Sequence, residues 1–239
     1  MRALRISLIV VGVLLLLGIA ADRVAVWVAQ NEVASRARTT LDLSSEPDVT
    51  IQGFPFLTQV FNTRLDHVDL GLDSYEASVD DQTLTVEDLE VELRNVEVSG
   101  DFSGATAETA EGGGVVSYEE LSRAYGELLA VAGNGFAVEF GYAGEGRLLL
   151  TLQASVMGQH VDVGEAPGDI VLEDGVVTLS VDEADIPDTG RPELQEAVQE
   201  QLDQERTISG LPDGLELDSL TPTEEGLALT ISGSQVSVG

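Results

Sequence analysis

Histidine is the side chain most able to move protons near neutral pH. The 239-residue chain has two, His67 and His160. His67 sits between charged neighbours in RLDHVDLGL, a predicted strand, and His160 lies beside a predicted turn near Gly158. A serine nucleophile on an elbow needs G-x-S-x-G, but Gly100-Asp101-Phe102-Ser103-Gly104 carries its serine one place too late. Cysteine is absent, which removes thiolate nucleophiles, disulfides, Cys-ligated zinc and a lipoprotein anchor. Acids number 43, so a pair of carboxylates singles out nothing and no glycosidase-type couple is selected. DIPDTGRPELQE, Asp185 to Glu196, has Asp, Gly and Glu at places one, six and twelve of a calcium loop. Pro187 stands at the third ligand place and has no side-chain donor, so a plain loop is expected there. Gly112-Gly113-Gly114 lacks the Lys and Ser/Thr of a phosphate loop. No catalytic residue, metal site or cofactor is therefore nominated, and the chain reads as a non-enzyme.

What remains is apolar. GFPFLTQVF, Gly53 to Phe61, holds three of the six phenylalanines. Gly53 closes a strand predicted at PDVTIQG. Pro55 suits the first position of a short helix, where its missing N–H costs nothing. Leu57, Val60 and Phe61 then fall at i, i+3 and i+4 and are expected to face inward, with Phe54 and Phe56 flanking the corner. A second stripe, Leu121, Ala124, Tyr125, Leu128, Leu129 and Ala132, runs along the helix predicted at SYEELSRAYGELLAVAG. Ser117 and Glu120 form its capping box and Gly133 stops it. Two readings stay open for both stripes. They are ordinary core, or they wall an apolar ligand cavity whose few polar groups include Thr58 and Gln59. Arg64, beside the first stripe, is the candidate phosphate contact, with pairing to Asp66 as the alternative.

The elements that position these groups are legible in outline. Arg2 and Arg5 precede 16 uncharged residues, Ile6 to Ala21. That length lies between a signal sequence and a spanning helix, and Gly18-Ile19-Ala20 offers a cleavable spacing. Either use places the remainder outside the cytoplasm. Residues 1–21 are thus a signal-anchor or signal peptide, and 22–239 one extracytoplasmic domain. DRVAVWVAQNEVASRARTTL reads as a helix. TLTVEDLEVELRNVEVS is a long strand whose apolar alternation slips twice, after Val86 and after Leu93, which predicts bulges. Ser99 to Gly114, small and Gly-rich, reads as a flexible loop. Strands follow over Phe136–Tyr142, Leu148–Val156 and a hairpin turning at Glu173-Asp174-Gly175. A helix is predicted from Pro192 to Arg206, and closing strands turn at Pro212-Asp213-Gly214 and near Glu225-Gly226. Strands adjacent in sequence favour a mainly antiparallel sheet, so the class is α+β.

Charge excludes some partners. The formal net charge is −32, with every one of the 11 basic residues an arginine. Such a chain repels phosphate backbones, so no nucleic acid is expected, and it has no polybasic patch for anionic lipid. High acidity also keeps proteins soluble in strong salt, which suits a saline habitat.

VTIQGFPFLTQVFNTRLDHVDL, Val49 to Leu70, resembles the actinobacterial LmeA-like phospholipid-binding family. The helix after SYEEL and the ending DGLELDSLTPTEEGLALTISGSQVSV are similar to that family too, from about Arg23 onward. The resemblance implies an envelope protein that binds phospholipid or glycolipid. It implies a fold like the tubular lipid carriers, a highly curved sheet wrapped around amphipathic helices. It further implies a link to lipoglycan synthesis, with an envelope glycolipid enzyme as a possible partner. On this reading Phe54, Phe56, Leu57, Val60, Phe61, Arg64, Leu121, Tyr125 and Leu128 contact lipid. An envelope adaptor without bound lipid is the alternative.

Overall fold

The computed structural model describes residues 2–40, 43–79, 82–100, 104–129, 136–156, 159–173, 175–182, 206–209, 211 and 213–238. The calcium-loop lookalike, the predicted turns at Gly158 and Pro212, the stop at Gly133 and residues 192–205 of the last predicted helix lie outside them. So does Ser103.

The chain forms two compact units. Unit one comprises residues 1–72, 90–111 and 233–239, and unit two residues 73–89 and 112–232.

Unit one opens with helix α1, Arg2–Thr40. The apolar run and the following predicted helix are therefore one continuous rod of about 58 Å at 1.5 Å per residue. It is long and apolar enough to cross a bilayer. Its far half is two-faced. Asp22, Val26 and Ala34 are buried, whereas Val24, Trp27 and Val28 are exposed. The buried side packs on strand β1, Asp48–Gln52, and on the short helix α2, Phe56–Phe61. β1 shows the alternation expected of a half-buried strand, with Val49 and Ile51 inward. It pairs antiparallel with β2, Arg64–Val79, matching Ile51 to Val68 and Asp48 to Gly71.

β3, Gln82–Val98, carries both predicted slips. Asp88 and Asn95 adopt positive φ, 50° and 49°, at the two places where the apolar alternation breaks. Each irregularity returns the next apolar residue, Leu89 and Val96, to the buried face.

The predicted loop from Ser99 to Gly114 is wrong over most of its length, because Ala105–Val116 is strand β4. Its small residues are there for close approach. A Cβ on Gly114 would lie 2.6 Å from Val86 Cγ1 and 3.0 Å from the Glu87 carbonyl. One on Gly113 would lie 2.9 Å from the Leu229 carbonyl oxygen. A strand without bulky side chains shows no period-2 signal, and its composition mimics a linker.

In unit two, helix α3, Tyr118–Leu129, lies on strand β5, Phe136–Gly144. Leu121, Ala124 and Tyr125 are buried as the stripe requires. Ser122 Oγ accepts from the Phe140 N–H at 2.8 Å and donates to the Tyr118 carbonyl at 2.6 Å, tying helix to strand. The capping box is half-formed. Ser117 Oγ accepts from the Glu120 N–H at 3.3 Å, but the Glu120 carboxylate turns to the Thr85 N–H at 2.9 Å and to Arg123.

An antiparallel meander continues the unit. β5 pairs with β6, Arg147–Val156, then β6 with β7, Gln159–Glu173, and β7 with β8, Val176–Val181. Glu173 faces Val176 across the predicted turn, where Gly175 supplies a φ of 77°. β9, Arg206–Ser209, joins β8 to β2, so Arg206 opens a strand rather than ending a helix. β10, Leu215–Pro222, and β11, Leu227–Val238, are the closing strands. Hydrogen bonds link the strands in the order β10-β11-β4-β3-β2-β9-β8-β7-β6-β5, with β1 on β2, an open path among the described residues. The architecture is α+β with antiparallel pairing, behind one long apolar helix.

Candidate lipid-binding site

The GFPFLTQVF corner is built by backbone constraint and one buried amide. Gly53 has a φ of 98°, which frees the chain to leave β1 sharply. The Phe54–Pro55 peptide is cis. Pro55 occupies the N-cap of α2 in an extended conformation rather than the first helical position. Proline has no side-chain acceptor, so the cap comes from elsewhere in the chain. Asp22 Oδ1 on α1 accepts from the Leu57 N–H at 2.9 Å. Asp22 is 2% exposed and also meets Arg23 at 2.6 Å.

Gln59 fastens the other side. Its Nε2 donates to the Gln52 carbonyl at 3.1 Å, and its Oε1 accepts from the Asp66 N–H at 2.8 Å. One side chain thus bridges the end of β1 and the start of β2. A Cβ on Gly53 would run into the Gln59 amide nitrogen.

This frame reverses the predicted inward face. Phe56 and Gln59 are the buried residues of α2, and Val60 is half-buried. Leu57 and Phe61 point to solvent, 48% and 88% exposed, and Phe54 is 61% exposed. With Pro55 as cap, the i, i+3, i+4 set that meets the unit is Phe56, Gln59 and Val60. Leu57 and Phe61 of the predicted set are left outside.

The cation expected at the corner differs as well. Arg64 pairs with Glu97 at 3.2 Å and not with Asp66. The guanidinium at the aromatic group is Arg23, 5.3 Å from the Phe54 ring centroid. Nothing in the local sequence links Arg23 or Asp22 to a motif more than 30 residues on. Their one signal is being the first charged residues after the apolar run.

The other nominated residues lie elsewhere. Leu121 and Tyr125 are buried in unit two, and the Leu128 side chain is outside the described residues. His67 Nε2 meets Asp69 Oδ1 at 2.7 Å and Glu92 Oε1 at 3.4 Å. Asp69 also accepts from Gln52 Nε2 at 2.5 Å. Burial pulls the Asp69 carboxyl up, but the Gln52 and His67 hydrogen bonds together outweigh it and hold it below its usual range. The cluster is an interstrand polar network. His160 is on β7, paired with Ser155. No group of three or more metal-ligating side chains occurs among the described residues. An open polar cleft of about 300 Å³, bordered by Gln30, Asn31, Glu46 and Asp48 among others, lies between α1 and β1, and none of the nominated residues lines it.

The family model for LmeA-like phospholipid-binding proteins matches residues 20–232. The chain belongs to this family. The match covers both units and begins two residues before Asp22. No curated protein and no solved structure matches. Membership supports a lipid-binding role for this LmeA-like chain.

Proposed function

We propose that this LmeA-like chain is a non-catalytic, membrane-anchored protein that binds phospholipid or glycolipid outside the cytoplasm. The family match carries the reading. α1 supports it by supplying an apolar segment with Arg2 and Arg5 at its start, an arrangement that keeps the start inside. Residues 1–21 then serve as the anchor, and residues 22–239 act as one lipid-binding domain. Each buried methylene of an acyl chain contributes about 0.8 kcal/mol. Phe54, Leu57 and Phe61 offer apolar surface for it in unit one, beside Phe56, Val60 and Arg64. Leu121 and Tyr125, with Leu128, form the apolar stripe of α3 in unit two. A curved sheet wrapping such helices, and support of envelope lipoglycan synthesis through a glycolipid enzyme, complete the proposal.

The test is photo-crosslinking of the full chain in vesicles that contain a trace of phospholipid with a diazirine on its acyl chain. Adducts mapping to residues 54–61 or 121–128 are expected. Adducts confined to residues 4–21 would leave an anchored protein without a lipid site, favouring the adaptor reading.

A further inference from the structure

The exposed corner has a defined depth. Ile6 to Ala21 is 16 uncharged residues of helix, about 24 Å at 1.5 Å per residue, a little short of the roughly 30 Å hydrocarbon core of a bilayer. Asp22 is the first acidic residue after that run, and it is the residue that caps α2. The first turn of α2 is therefore hydrogen-bonded to the level at which the span leaves the membrane. Arg23, the next residue, sits over Phe54. α2 and the end of the span belong to the same compact unit, so this placement depends on no other part of the chain.

The side chains at that level are the wrong kind for water. Phe54, Leu57 and Phe61 are all substantially exposed within eight residues. On α1 the apolar exposed face does not stop at Asp22. Val24, Trp27 and Val28, at i, i+3 and i+4, continue it, and Trp27, the one tryptophan of the chain, is 62% exposed. Tryptophan and phenylalanine beside a span suit the headgroup boundary. Charge favours apolar over electrostatic docking. Two of the 11 basic residues precede residue 22, which leaves 9 against 43 acids from residue 22 on, a net of −34.

We infer that the Gly53–Phe61 corner is a membrane-inserted wedge. Phe54, Leu57 and Phe61 enter the outer leaflet of the bilayer that α1 spans, and Trp27 lies at its headgroup level. The occupant of this apolar surface is the phospholipid leaflet itself. The wedge rests on the anchoring part of the proposed function. It fixes the first unit against the membrane and puts α2 where a lipid leaves the leaflet.

Because the chain has no cysteine, a single introduced thiol is labelled at one place. NBD is attached at Phe61→Cys, and separately at Phe54→Cys and Leu14→Cys, in the full chain reconstituted into phosphatidylcholine vesicles. Bromines at carbons 6 and 7 of the acyl chain report shallow insertion, and aqueous iodide reports exposure to water. Positions 54 and 61 are expected to be quenched at least threefold more by bromolipid than by iodide, as position 14 is. Iodide quenching at 54 and 61 with bromolipid quenching at 14 overturns the wedge and leaves the anchor standing. Iodide quenching at all three positions overturns the anchor and the wedge together. Lipid binding by the domain is read separately, by crosslinks at residues 121–128, which are not part of the wedge.

Discussion

Gln59 is the residue on which the corner depends. It is buried, and both ends of its amide are used, one on β1 and one on β2. Leucine has nearly the same size but leaves the Gln52 carbonyl and the Asp66 N–H without their partner. Leaving partly buried polar groups unpaired costs about 1–3 kcal/mol. Gln59→Leu is therefore expected to lower the stability of the full chain in detergent by about 2 kcal/mol in urea titrations. Gln59→Glu keeps an acceptor for Asp66 and loses the donor for Gln52, so its loss should be smaller at acid pH, where a protonated carboxyl donates again. Equal stability of the wild type and Gln59→Leu would show that the corner is held without the Gln59 amide, by Gly53 and the Asp22 cap on Leu57. The exposed Phe61, by contrast, is expected to tolerate serine with little loss of stability, since 88% of it already meets solvent.

At the scale of elements, β4 is held by what its glycines leave out. A methyl on Gly114 must displace Val86 and the backbone of Glu87, an overpacking that costs about 1–3 kcal/mol. Gly100 has open space around it, so Gly100→Ala is expected to change the urea midpoint little while Gly114→Ala lowers it clearly. The contrast shows why so much of the fold was readable and β4 was not. In β3 the apolar residues keep time, and the two slips fell where Asp88 and Asn95 bend the strand. In β4 the packing information lies in absent side chains, which carry no period. α2 was readable as a helix, but its inward face was not. That depended on Pro55 being a cap and on Asp22, 35 residues earlier in sequence than the N–H it accepts from. The link between α3 and β3 makes a pH prediction. Arg123 beside Glu120 is the main pull on its carboxyl. With help from the Thr85 N–H it outweighs burial and holds the group below its ordinary value of 4.5. A depressed folded value contributes stability above pH 4.5, and that contribution is lost as pH falls through the lower folded value. The stability difference between wild type and Glu120→Gln should therefore be constant from pH 7 to 5 and shrink below 4.5. A difference that stays flat down to pH 3 would sink the assignment.

At the scale of the whole molecule, charge sets the conditions in which the chain is stable. With 43 acids against 11 arginines, a net charge of −32, most carboxylates have no arginine to pair with. Among the described residues the ion pairs are mostly at the surface, such as Arg36 with Glu32 and Arg64 with Glu97, and such pairs contribute about 0–1 kcal/mol each. Repulsion among the acids is then the dominant long-range electrostatic effect on folding, and it is screenable. The Debye length falls from about 10 Å at 0.1 M salt to about 3 Å at 1 M, so repulsion between exposed carboxylates is screened over that range. The thermal midpoint of the detergent-solubilised chain is accordingly expected to rise by several degrees between 0.1 M and 1 M sodium chloride. Surface pairs weaken over the same range, but each contributes less than the repulsion that is relieved. Potassium chloride at equal ionic strength should act identically, because screening depends on charge and concentration alone. A midpoint that falls with salt would mean the arginine pairs outweigh the acid excess. A rise with sodium but not potassium would point to a bound cation in place of a screened surface.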